Sequence, residues 1–207
     1  MVRIVWRRRM VWLAMFLCAQ GWLAQEAAAS LDGEIQAHEV AILPKYCPHT
    51  QLIREKFGTK HGVAYWTDRL GRPFTALHHY CWALIAINRA NKFNATHQEK
   101  RFNYFTATAE IDYVIRSVKE DFVLMPEMLT RRGEAYTKLK NYSAAEADFR
   151  WAIRLKADYW PAFLGLAQSF LTQGKKDAAR AILNDGIKTA SDPRALQTLL
   201  SQIDKTK

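Results

Sequence analysis

Two cysteines and the histidines beside them are the residues of this 207-residue chain with the clearest capacity for chemistry. Cys47 and His49 lie in the segment LPKYCPH, and His78, His79 and Cys81 lie in HHYCW. Thiolate and imidazole are ligands that zinc prefers, so Cys47, His49, His79 and Cys81 make up a candidate Cys2His2 site. His78 offers an alternative ligand, because a residue three positions before Cys81 shares its helix face. Pro48 makes Cys47 and His49 an uncommon chelating pair.

The same two cysteines could instead form a disulfide, as paired cysteines in exported proteins often do. Closing the loop between Cys47 and Cys81 would contribute ~3.5–4 kcal/mol on the chain-entropy model. The bridge would hold an irregular segment, residues 44–72, against a helix expected at 74–90. Two free thiols packed as small apolar side chains are a third alternative. A metal-binding or thiol-redox protein centred on this cluster is therefore the second candidate function.

No other group of residues in the sequence fits a catalytic site. The chain lacks G-x-S-x-G, a glycine-rich phosphate loop, H-E-x-x-H and an EF-hand loop. Carboxylate pairs such as Glu110 with Asp112 are two residues apart, and at that spacing side chains on a helix diverge. Nothing combines a nucleophile with a base. We therefore expect a protein that is not an enzyme and that needs no cofactor.

The first 29 residues have the pattern of a secretory signal peptide. Four arginines, at positions 3, 7, 8 and 9, precede an apolar run over residues 10–24, and three alanines follow at 27–29. A positive start, a short apolar core and small residues at a cleavage site are typical of such signals. The run is shorter than the ~20 residues that span a bilayer. We expect export to the periplasm or the exterior, with cleavage near Ala29/Ser30, by either the Sec or the twin-arginine route.

Composition excludes a disordered chain and argues against a nucleic-acid partner. The hydrophobic fraction is 49%, and the net charge is +10, of which the predicted signal supplies about a third. The remaining Lys and Arg are interleaved with acids rather than gathered in one stretch. Weak, salt-dependent contact with an anionic membrane or polysaccharide is the most that this charge favours.

Self-similarity in the second half of the chain indicates the fold. Residues 126–159 align with residues 160–193, with small residues where two helices would cross and larger ones where they would interlock. The aligned pairs are Gly133/Ala167, Tyr136/Phe170, Ala145/Ala179, Phe149/Leu183, Ala152/Gly186 and Ile153/Ile187. This period and pattern resemble the tetratricopeptide repeat, a helix–turn–helix unit of 34 residues. The family's proline near the end of the second helix is replaced by Ala157 and Ser191.

The resemblance implies an all-α fold, a right-handed solenoid of helical hairpins. A solenoid needs about three repeats and a terminal cap, so we also assign repeat-like roles to the flanking segments. The predicted organisation is a signal peptide at 1–29, an irregular segment with short helices at 30–72, a diverged long helical pair at 73–125, repeats at 126–159 and 160–193, and a capping helix at 194–207.

The pair at 73–125 is predicted from two features of the sequence. Residues 74–90 are mostly apolar, and Thr96 with Glu99 makes a capping box that would begin a second helix ending near Val118. One stripe of that helix would carry Phe102, Phe105, Ala109 and Tyr113, and a neighbouring face would carry Ile111, Val114, Ile115 and Val118. With two apolar faces, we expect most of the helix circumference to be buried.

The resemblance also implies a function, because the first helices of such repeats line a concave groove that holds a partner peptide. The positions that match are Thr130, Arg131, Glu134, Thr137 and Lys138 in one repeat, and Leu164, Gln168, Leu171 and Thr172 in the next. Alternatively the chain's own residues 31–72 fill the groove, with Tyr65 and Trp66 inserted. We expect an exported adaptor for a protein or peptide partner, of undetermined oligomeric state.

Overall fold

The computed structural model describes residues 35–57 and 61–205, and within these ranges the chain contains helices, turns and loops but no β-strand. The predicted signal peptide lies outside the described residues. No helix in the described part of the chain has both the length and the apolar character needed to cross a membrane.

Two compact units divide the chain, Met1–Ile42 and Leu43–Lys207. The described part of the first unit contains one short helix, α1 (Ala37–Ala41). A capping box begins this helix, since the Glu39 carboxylate accepts a hydrogen bond from the Gln36 backbone N–H at 3.1 Å.

The second unit begins with short helices and continues as a stack of helical hairpins. Its irregular start contains 3-10 helices at Cys47–His49 and Arg72–Ala76 and the helices α2 (Gln51–Phe57) and α3 (Val63–Leu70). The stack consists of α4 (Leu77–Ala90), α5 (His97–Ser117), α6 (Met125–Lys138), α7 (Tyr142–Leu155), α8 (Trp160–Thr172), α9 (Lys176–Thr189) and α10 (Arg194–Lys205). Consecutive helices pack in pairs, and α6 also packs on α8. The all-α, solenoid-like fold predicted from the repeat is confirmed.

One aromatic ring interlocks the two repeats. Phe149 of α7 is fully buried, and its ring edge lies against Gly133 of α6 and Gly165 of α8. A Cβ atom on Gly133 would lie 2.9 Å from Phe149 Cε1, and a Cβ on Gly165 would lie closer still. Helices approach this closely only where one of them carries no side chain, so the two glycines set the spacing of α6, α7 and α8.

The same arrangement recurs at the end of the stack. A Cβ on Gly186 of α9 would lie 2.7 Å from the Phe163 ring and 2.8 Å from Leu196 of α10. Leu196 and Ile203 place the apolar face of α10 on the last pair, which covers the end of the core.

Gly174 has a positive φ of 73°, which closes the turn between α8 and α9 in a conformation that glycine adopts without strain.

The helix α5 corrects one prediction. It begins at the predicted capping box, where the Glu99 backbone N–H donates to the Thr96 hydroxyl at 3.2 Å. Its stripe of aromatic residues is nevertheless exposed, with Phe102 at 51%, Phe105 at 66% and Tyr113 at 55%. The buried face consists of Tyr104, Ala107, Thr108, Ile111, Val114 and Ile115. Only one of the two apolar faces is used by the stack.

A buried ion-pair network joins three consecutive helices. The Arg132 guanidinium on α6 donates to both oxygens of Asp148 on α7, at 2.7 and 2.8 Å, and to Asp112 on α5 at 2.9 Å. The Arg132 and Asp148 side chains are only 10% and 6% exposed. Asp112 is also paired with Arg116, at 2.7 Å. Every charge in this network therefore has a partner, as burial requires.

Candidate functional site

The structure joins Cys47 and Cys81 in a disulfide, with their Cα atoms 5.7 Å apart. Cys47 begins the 3-10 helix at Cys47–His49 and Cys81 lies in α4, and both residues are fully buried. The bridge therefore fastens the irregular start of the second unit to the first helix of the stack. A buried bridge of this kind offers no sulfur to an attacking thiolate, which indicates a structural rather than a redox role.

The disulfide uses both of the thiolates that the alternative zinc site requires. One of the histidines has another partner as well, since His79 is hydrogen-bonded through Nδ1 to the Glu110 carboxylate of α5. The His49 ring packs against Gly62, and its Nδ1 atom is buried without a hydrogen-bond partner within the described residues. Within the described residues, no group of three or more His, Cys, Asp or Glu is arranged to hold a metal ion.

The predicted groove residues lie on two neighbouring helices, α6 and α8. Most of them have some exposed surface, but Thr130 does not. Arg131, Lys138, Gln168 and Thr172 are exposed, and Glu134, Thr137, Leu164 and Leu171 are half-buried. The Arg131 guanidinium donates to Glu134 at 3.1 Å, so these two opposite charges are paired on the groove surface.

Thr130 corrects the predicted set, because it is 2% exposed and its hydroxyl donates to the Pro126 carbonyl one turn earlier. Thr137 makes the equivalent bond to the Gly133 carbonyl, at 2.9 Å. Both hydroxyls satisfy the carbonyls of their own helix. Thr130 therefore offers no surface to a partner, whereas Thr137 is only half-buried.

A cluster of three tyrosines, Tyr46, Tyr80 and Tyr159, interacts electrostatically with Glu127 and Arg131, and the sequence did not single it out. The Tyr80 hydroxyl of α4 donates to the Glu127 carboxylate at 2.8 Å. Tyr46 precedes the disulfide and Tyr159 is the N-cap of α8, and the charges of Glu127 and Arg131 act on both. These three tyrosines come from three separate segments of the chain. Only the folded stack brings them within range of the same two charges, Glu127 and Arg131, so no local pattern could have predicted the cluster.

Burial governs the ionisation of these phenols. Loss of hydration, with a smaller contribution from the Glu127 charge, raises the pKa of Tyr159 to about 12. The same two causes raise the pKa of Tyr46 and of Tyr80 well above the ordinary value. All three hydroxyls are therefore neutral at physiological pH and able to donate hydrogen bonds. The Tyr46 hydroxyl is buried and has no hydrogen-bond partner within the described residues.

The described part of residues 31–72, which could alternatively fill the groove, contains aromatic residues that differ in burial. Tyr46 is 7% exposed and lies edge-on to Trp66, with the ring centroids 5.9 Å apart. Tyr65, which we expected to insert, is 54% exposed and its hydroxyl accepts a hydrogen bond from Arg69. Tyr46 is therefore packed inside the second unit, whereas most of the Tyr65 side chain is exposed.

Comparison with known proteins supports the repeat. The sequence model of a family described as Tetratricopeptide repeat matches residues 134–203. This match supports a tetratricopeptide-repeat family. It covers the end of α6, all of α7, α8 and α9, and most of α10. No curated protein matches the chain. Tetratricopeptide repeats are generally binding modules for proteins or peptides and not enzymes, so the match points to a protein–protein interaction role.

Proposed function

We propose that this protein is an exported adaptor that binds an extended peptide segment of a protein partner across α6 and α8. The observation that carries the proposal is the polar, accessible row that these two packed helices present. Arg131, Lys138 and Gln168 are exposed on helices whose other faces are buried in the stack. Repeats of this family generally bind proteins or peptides. The exposed polar side chains of α6 and α8 can form hydrogen bonds and ion pairs with side-chain and backbone groups of a partner.

The chemistry of the row favours a peptide with both polar and apolar side chains. Arg131 and Lys138 offer two cations, Glu134 offers an anion, and Leu164 and Leu171 offer half-buried apolar surface. Because Arg131 is already paired with Glu134, a bound carboxylate would share the guanidinium rather than replace that pair.

The test is a charge reversal on the row. The double variant Arg131→Glu with Lys138→Glu should weaken binding of the partner at least tenfold, because two favourable contacts become repulsive. The partner would first be captured from the periplasmic or secreted fraction of the native host and identified. Its affinity for the purified protein would then be measured by calorimetry.

Export is tested on the same fraction, in which the N-terminal sequence of the protein should begin at Ser30.

The matched control is Arg154→Glu with Lys205→Glu, which makes the same change of charge at exposed positions away from α8 and the Arg131 face. This control should bind the partner as the wild type does, and both variants should unfold at the wild-type temperature. Unchanged affinity of the Arg131/Lys138 variant would reject the groove.

A further inference from the structure

A second concave surface lies outside the groove, at the edge of the first helical pair. It is a cleft of about 730 Å³ formed by the end of α3, the 3-10 helix at Arg72–Ala76, the end of α5 and the loop that follows α5. This volume is in the range of pockets that hold small molecules or short peptide segments. None of the predicted groove residues lines the cleft.

Two cations of the cleft wall have no acidic partner. Arg72 and Lys119 are exposed, and neither side chain makes an ion pair or a hydrogen bond within the described residues. A third cation, Arg69, is held in place by its hydrogen bond to the Tyr65 hydroxyl at 2.8 Å. Asp121 is the only acid in the lining. Three cations, Arg69, Arg72 and Lys119, outnumber the one acid in the lining, so the cleft wall has a net positive charge.

A neutral histidine adds a hydrogen-bond acceptor between these cations. His78 Nδ1 lies 3.0 Å from the Thr75 carbonyl oxygen, which can only accept, so Nδ1 carries the proton. Burial, and then the neighbouring His79, lower the pKa of His78 below its usual value. Its ring is consequently neutral at physiological pH, and Nε2 is left with a lone pair. This atom could accept a hydrogen bond from a backbone N–H of a ligand.

The rest of the lining is apolar and partly uncovered. Val123 is 69% exposed and Tyr113 is 55% exposed, while Phe122 is almost completely buried beside them. The Tyr113 ring is held by His79, with the ring centroids 4.0 Å apart. Exposed apolar side chains next to unpaired cations require a ligand that carries both an apolar group and negative charge.

We propose that this cleft is a second docking site, which binds an acidic peptide segment of a partner through Arg72 and Lys119 and seats one apolar side chain against Tyr113 and Val123. A second copy of this chain is a poor occupant, because each copy has a net positive charge even without the predicted signal peptide and the cleft itself is positive. An anionic bilayer is a poorer fit than a peptide, because a flat surface contacts the rim of a cleft and leaves its interior empty.

Binding of a defined probe tests the proposal. The probe is the fluorescein-labelled hexapeptide Glu-Asp-Leu-Phe-Glu-Asp with a blocked C-terminus, and its affinity for the purified protein, without residues 1–29, is measured by fluorescence anisotropy. We expect saturable binding that weakens as salt rises. The variant Arg72→Glu with Lys119→Glu should weaken it at least tenfold, and the variant Val123→Ser should weaken it severalfold. Amide NMR shifts caused by the peptide should be concentrated at residues 72–79 and 113–123.

Three comparisons make the result decisive. The charge-matched control Arg154→Glu with Lys205→Glu should bind the probe within twofold of wild type, and equal loss in this control would overturn the proposal as non-specific attraction. The groove variant Arg131→Glu with Lys138→Glu should also bind normally, which separates this site from the proposed groove. If the Arg72/Lys119 variant instead loses binding to vesicles of phosphatidylglycerol and phosphatidylcholine but not to the peptide, the occupant is a membrane and the proposal is wrong.

Discussion

At the scale of single residues, the two repeats can pack closely because Gly133 and Gly165 have no side chain. Gly133 and Gly165 lie on different helices, yet a Cβ on either would meet the same edge of the Phe149 ring. The alignment of the repeats predicted a small residue at position 133 and a large one at 149. It did not identify Gly165, because that residue has no equivalent small residue in the preceding repeat, where Arg131 aligns with it. The sequence pattern of one helical hairpin does not predict which residues contact the next hairpin.

The substitution Gly165→Ala should therefore destabilise the protein by about 2 kcal/mol, although alanine favours helix more than glycine does. The added methyl group meets an aromatic ring that is fully buried and cannot turn aside. Urea denaturation followed by circular dichroism measures the change. Combining it with Phe149→Leu should cost less than the sum of the two single changes, because the smaller side chain frees the space. An additive double mutant would contradict the proposed collision.

At the scale of helices, a buried ion-pair network joins α5, α6 and α7 in addition to their apolar packing. Arg132 is bidentate to Asp148 and also bonds Asp112. Burial raises the pKa of Asp148, and the hydrogen bonds from Arg132 oppose that shift. Such a network costs desolvation energy when it forms. It is sensitive to the loss of one member, because the remaining charges are then buried without a partner.

Arg132→Ala should lower the free energy of unfolding by about 3–5 kcal/mol, since it leaves Asp148 buried and unpaired. The double variant Arg132→Met with Asp148→Leu should be much less destabilised. It removes both buried charges together, and Asp112 keeps its bond to Arg116. Chemical denaturation at pH 7 distinguishes the two. If the double variant is as unstable as Arg132→Ala, packing around the side chain and not its charge accounts for the loss.

Helix α5 shows the limit of periodicity as a predictor. Its beginning was predicted from Thr96 and Glu99 because a capping box is local. Its orientation was not predicted, because the sequence offered two apolar faces and spacing alone does not say which one meets a neighbour. The stack uses the face with Ile111, Val114 and Ile115 and leaves Phe102 and Phe105 exposed.

At the scale of the whole molecule, the repeat predicted the stack of helical hairpins. The repeat pattern did not predict the tyrosine cluster, because Tyr46 comes from an irregular segment that the disulfide joins to α4. Tyr80 and Tyr159 belong to different hairpins of the stack. A repeat pattern predicts the helices within each repeat. It does not predict which side chains from different repeats come together in the folded protein.

Because of this cluster, we expect the free energy of unfolding to decrease as the pH rises into the alkaline range. Tyr46, Tyr80 and Tyr159 have a pKa in the folded protein above the ordinary value of 10.0, so the folded state holds their protons after the unfolded chain has released them. Stability from these groups is then fully present below pH 10 and falls as the pH rises above it. Urea midpoints measured from pH 8 to pH 12 should decline beyond pH 10. Absorbance at 295 nm should show Tyr159 ionising near pH 12, a step that Tyr159→Phe removes. Constant urea midpoints up to pH 12 would show that these phenols are not buried as described.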